Sequence, residues 1–111
     1  KDEVVEDNNL GISESSLSVV REGMRLAVLE GTAVALGVPY VEIAGKTGTA
    51  EIGVGKKLVN SWVVGFFPHK KPRFAFTVVM ERGSRTNTVG ASFVMRQVFD
   101  YMSQAKPQYL K

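Results

Sequence analysis

The chain has 111 residues, 44% of them hydrophobic and 23% charged, enough apolar content for one core and too much for an intrinsically disordered segment. It has no cysteine, which excludes a disulfide framework, a thiolate-ligated zinc site and a thiol nucleophile. The net charge of +3 comes from scattered basic residues, including Lys56-Lys57 and Lys70-Lys71 in expected loops, so no nucleic-acid partner is expected.

Residues 1–12 are acidic with Asn and Gly and read as an irregular lead-in continuing a longer chain; Lys1 to Asp7 lacks the apolar and small-residue features of a signal peptide. Leu17, Val20, Met24, Ala27 and Val28 then recur at helical spacing behind Ser13, whose hydroxyl suits an N-cap. Glu14 suits the positive end of the helix dipole and Gly31 is placed to end the helix, predicted over roughly 14–30.

Val41 to Ile52 reads as a strand in which Gly45 and Gly48 invite close backbone approach. A Gly/Lys turn over 53–57 leads to a strand from Val59 to Phe67, and the turn from Pro68 to Pro72 leads to a third from Arg73 to Glu81. Short connections favour an antiparallel meander, and the apolar run from Trp62 to Phe67 suggests strands covered on both faces. The helical period returns at Ala91, Val94, Met95, Val98, Phe99 and Met102 and ends before Pro107.

The expected fold class is therefore α+β: a helix, three antiparallel strands and a C-terminal helix. Both helices can pack on one sheet face. The other face, with its share of Trp62, Val64, Phe66, Phe74 and Phe76, then needs a cover from a partner domain, a second chain or self-association. Trp62 and the phenylalanines read as core. The single histidine, His69, follows Pro68 and reads as an exposed loop residue, which gives a Ser-His-Asp triad no support.

The chemistry concentrates in Ala44-Gly45-Lys46-Thr47-Gly48-Thr49-Ala50-Glu51. Side chains alternate along a strand, so Lys46 points to one side and Thr47 and Thr49 together to the other, with Gly48 between them leaving the backbone approachable. A hydroxyl pair facing a groove suits a carboxylate. At a sheet edge, the strand's own N–H and C=O groups could pair with an extended peptide. The Lys46 ammonium could stabilise negative charge or lower the pKa of a neighbouring hydroxyl.

Lys46-Thr47-Gly48-Thr49-Ala50-Glu51 resembles the KTG element of serine transpeptidases and β-lactamases. The likeness extends through Gly23-Met24, Gly31-Thr32-Ala33 and Ala44-Gly45 to the strand Asn60-Ser61-Trp62-Val63-Val64-Gly65-Phe66-Phe67-Pro68 and to Pro72-Arg73-Phe74-Ala75-Phe76-Thr77-Val78-Val79-Met80-Glu81. In this it is similar to the penicillin-binding transpeptidases, and more to the high-molecular-weight monofunctional (class B) type than to secreted β-lactamases. The resemblance implies that residues 1–111 are the C-terminal portion of one transpeptidase domain. It also implies a peptidoglycan D,D-transpeptidase that cross-links stem peptides through a serine acyl-enzyme and binds β-lactams, with no cofactor and no metal. Lys46 would be the KTG lysine. Thr47, Gly48 and Thr49 would line the substrate site, with the two hydroxyls on the substrate carboxylate and the Thr49 backbone N–H as an oxyanion-hole donor.

The nucleophile of that family sits in an SxxK motif and its proton relay in an SxN motif. Ser103-Gln104-Ala105-Lys106 spells the first, but it follows the KTG strand and stands at a helix end before Pro107, so it reads as a chance match; Ser84-Arg85-Thr86-Asn87 is one residue too long for the second. The expected partners are therefore the rest of the transpeptidase domain, carrying SxxK and SxN, together with the stem peptide and β-lactams. This segment alone is expected to be inactive. The implied location is the extracytoplasmic face of the bacterial cytoplasmic membrane, through an anchor upstream. A non-catalytic β-lactam- or peptidoglycan-binding module, or a β-lactamase or sensor of the same fold, is the alternative.

Overall fold

The computed structural model describes residues 9–86 and 90–111; the acidic lead-in over 1–8 and Asn87 of the near-SxN stretch lie outside the described residues. Helix α1 spans Glu14–Glu30, with Ser16 N–H donating to the Ser13 hydroxyl at 3.2 Å as the N-cap expectation requires. Strands β1 (Ala44–Ile52), β2 (Leu58–Phe67) and β3 (Phe74–Ser84) form an antiparallel sheet in the order β1-β2-β3, and α2 (Ala91–Ala105) closes the chain before Pro107.

Two strand boundaries differ from the sequence reading by more than one residue. β1 begins at Ala44, because Val41 makes only an isolated bridge with Val38. β3 runs on past Glu81 through Arg82-Gly83-Ser84, a stretch whose composition reads as a turn. The ladder pairs Ser61 with Met80 and Val59 with Gly83, so Asn60 faces two residues, Glu81 and Arg82. Arg82 takes a φ of 56°, and its N–H donates to the Asn60 side-chain carbonyl at 2.9 Å. This bulge satisfies the displaced backbone donor and lets pairing resume beyond it.

Both helices lie on one face of the sheet. Val63 and Phe67 are buried there, Phe74, Phe76, Val78 and Met80 pack against them, and fully buried Phe99 of α2 meets Phe67 and Phe76 edge-on at 5.0 and 5.5 Å between ring centroids. Burying such a ring contributes about 3 kcal/mol. Phe74 and Phe76 therefore belong to the packed face and not to the open one. The opposite face carries Trp62, Val64 and Val79, each about 40% exposed, so Trp62 is not core within this segment. The helices are likewise less covered than their periodicity predicts: α1 buries only Val28, while Val20 and, in α2, Val98 are exposed.

The loop leading into β1 is tied down from both sides. Arg25 of α1 donates to the Ile43 carbonyl at 2.8 Å, and the Tyr40 hydroxyl donates to Asp100 of α2 at 2.7 Å. Burial, then the hydrogen bond and negative charge of Asp100, push the Tyr40 phenol up to about 12. Ile43 and Ala44 are fully buried, which fixes where β1 starts and thus where its later residues stand.

Candidate functional site

β1 changes character along its length. Gly45 lies against Leu36, where an added Cβ would come within 2.9 Å of the Leu36 Cδ1 atom, so the expected close approach occurs there. At Gly48 a Cβ would meet only the Trp62 Cβ at 3.6 Å, ordinary contact, so nothing in the described fold requires glycine.

The register places Lys46 beside Val64 and Gly48 beside Trp62 on the open face, and Thr47 beside Val63 and Thr49 beside Ser61 on the helix-side face. The alternation expected from the sequence is thus in place. The Lys46 ammonium donates to the Thr47 carbonyl at 2.6 Å, and among the described residues no carboxylate lies within 4.0 Å of it.

On the helix side, Thr47 and Thr49 open onto a groove of about 330 Å³ bounded by Thr32, Ser61, Ser92 and Phe93. The hydroxyls of Thr32 and Thr47 lie 2.7 Å apart, and the Ser61 hydroxyl accepts the Ala91 N–H at 2.9 Å, which pins the start of α2 against the groove. Thr32, Ser61 and Ser92 escaped the sequence reading as site residues. They come from three other elements, and the only signal was that Thr32 and Ser61 sit within the stretches of resemblance. β1 is an edge strand in the described sheet, so alternate backbone groups along it face outward. A larger cleft of about 810 Å³ opens near Tyr40, Glu42, Lys71 and Arg73 at the other end of the sheet. It contains none of the KTG residues, so chemistry and not size selects the smaller groove.

The remaining candidates separate from this site. Ser103 donates to the Asp100 carbonyl at 2.8 Å within its own helix, and Lys106 caps that helix at the end away from the groove. Glu51 pairs with Arg85 at 2.9 Å and with Lys56 at 3.9 Å; both pairs are solvated and contribute little. His69 is not an exposed loop residue. Its side chain is only 11% exposed, 3.4 Å from Glu22 and stacked on Phe66, far from the groove's lining. Among the described residues no cluster of metal-ligating side chains occurs, and no helix is long and apolar enough to cross a membrane.

The α+β sheet thus presents, on its edge strand, a cation on one face and two hydroxyls over a groove on the other. The chain belongs to the penicillin binding protein transpeptidase domain family, whose pattern matches residues 1–100. It is 34% identical over 107 residues to penicillin-binding protein H of Bacillus subtilis, covering 89% of this chain and 15% of that protein. It is 35% identical over 95 residues to the peptidoglycan D,D-transpeptidase MrdA of Acinetobacter baumannii, covering 74% of this chain and 14% of that protein. Among solved structures, penicillin-binding protein 2B of Streptococcus pneumoniae superposes with a TM-score of 0.72 at 30% identity, over 92% of this chain and 18% of that one. The chain thus spans about one seventh of the length of the curated relatives it matches and forms part of a transpeptidase domain of this type.

Proposed function

We propose that this segment supplies the substrate-binding strand of a peptidoglycan D,D-transpeptidase, as the C-terminal portion of its transpeptidase domain. One observation carries the reading: on a free-edged strand, Lys46 and the Thr47/Thr49 pair stand on opposite faces, with the hydroxyls opening on a polar groove. The hydroxyls of Thr47 and Thr49 hold the terminal carboxylate of a stem peptide, or of a β-lactam, while Gly48 lets the substrate backbone come close. A serine Oγ from the remainder of the domain attacks the scissile carbonyl. The oxygen that becomes negative is met by the Thr49 backbone N–H and the N–H of that serine. The C–O bond to serine forms as the C–N bond breaks, and the serine proton passes to the leaving amine. The amine of a second stem peptide then attacks the acyl carbonyl: the new C–N bond forms as the C–O bond to serine breaks, the amine proton returns to the serine oxygen, and the cross-link results. Lys46 faces the open side, where its ammonium would act on the relay groups brought by the rest of the domain.

The open apolar face around Trp62, Val64 and Val79 is the face on which that remainder packs in this reading. The protein would act on the extracytoplasmic side of the cytoplasmic membrane, where peptidoglycan is cross-linked. The test is intact-mass analysis of the longer polypeptide carrying this segment, and of the segment alone, after incubation with a β-lactam. An adduct on the longer polypeptide only is expected. No adduct on the folded longer polypeptide would leave a non-catalytic binding module, and an adduct at Ser103 would overturn the assignment of the nucleophile to the rest of the domain.

A further inference from the structure

From the Thr32–Thr47 contact we infer that Thr32 is a positioning residue: its hydroxyl orients that of Thr47 so that the Thr47 proton points into the groove toward a ligand carboxylate. The inference rests on the reading of Thr47 as a carboxylate ligand. The two oxygens lie 2.7 Å apart, so one hydroxyl donates to the other. If Thr47 donates to Thr32, its proton is consumed and it offers lone pairs to the groove, which a carboxylate repels. If Thr32 donates to Thr47, the Thr47 proton is released toward the groove and its donor strength rises through the polarised chain. A carboxylate in the groove therefore selects the second arrangement, and Thr32 is what makes that arrangement the hydrogen-bonded one.

Thr32 is held in place by its neighbours. The N–H groups of Gly31 and Ala33 both donate to the Ala27 carbonyl, at 3.1 and 3.0 Å, and Ala33 is fully buried. A Cβ on Gly31 would lie 2.9 Å from the backbone of Ala27, so the turn closes this tightly only with glycine there. Thr32 is thereby fixed between a capped helix end and a core anchor while its own side chain reaches β1. Both threonines line the groove, and no fold reason on the protein's own account requires an exposed hydroxyl at residue 32.

The experiment compares wild type, Thr32→Val and Thr32→Ser in the longer polypeptide, measuring acylation over a range of concentrations of a β-lactam and of its methyl ester to separate the binding step from the limiting rate. Thr32→Val is expected to raise the dissociation constant for the free acid about 3- to 10-fold with little change in limiting rate. It should leave the ester unaffected, and Thr32→Ser should restore wild-type behaviour for the acid. Wild-type binding of the acid by Thr32→Val, or equal losses on acid and ester, would overturn the role of Thr32 while leaving the proposed function standing. Failure of the wild-type protein to acylate at all would overturn both.

Discussion

The two ends of β1 face opposite demands. At its start, Ala44 and the preceding Ile43 are fully buried, and Gly45 lies against Leu36, Val28 and the neighbouring strand. From Lys46 to Glu51 every residue but the half-buried Thr47 is exposed. One end determines position, and the other presents chemistry from that position. A site built this way is held by residues that never touch its ligand.

Mutating the buried end should cost stability first. Ile43→Ala leaves a cavity in the core beside β1 and should lower the unfolding free energy of the domain by about 2–4 kcal/mol, read from the shift of its denaturation midpoint. Mutating the exposed end should cost activity alone. Lys46→Ala is expected to slow β-lactam acylation about 100-fold while the midpoint stays within about 0.5 kcal/mol of wild type; a comparable loss of stability would mean that Lys46 is a packing residue.

The sharpest comparison uses one substitution at two places. Gly45→Ala drives a methyl into Leu36 and should destabilise by about 1–3 kcal/mol. Gly48→Ala meets no close neighbour, so it should be neutral or stabilise by up to about 1 kcal/mol through the unfolded chain, yet slow acylation if a ligand approaches there. Equal stability losses at both glycines would break the division of the strand.

A further stabilising contact lies in the loop that anchors β1. Tyr40→Phe removes the hydrogen bond to Asp100 and should cost about 1–2 kcal/mol. Because the Tyr40 phenol is pushed up from its ordinary value of 10.0 to about 12, its contribution is complete below pH about 10 and is lost as pH rises through 10 to 12. Phenolate absorbance of the native protein should show one tyrosine ionising last, and Tyr40→Phe should remove that phase.

The elements were legible in the sequence wherever a local rule acts. The N-cap at Ser13, the helical period over α1 and α2 and the alternation of Lys46 against Thr47 and Thr49 depend on a few adjacent residues and came out as expected. β3 ran past its expected end because the bulge at Asn60 lies on another strand, and a turn-like Arg82-Gly83 carries no sign of that pairing. Apolar periodicity overstated the cover on α1, since it records which side chains need burial and not what meets them; the Trp62 face, expected to need a cover from elsewhere, is open.

The sequence by itself determined the helix-strand-helix order, the family likeness and the alternation of Lys46 against Thr47 and Thr49, because these reside in composition and short-range spacing. Tertiary structure decided that Thr32 meets Thr47 across 15 residues of chain, that Ser61 pins the start of α2, and which residues share a sheet face. Those contacts follow from strand register and helix packing, which are set by the burial of the whole core and appear in no local pattern.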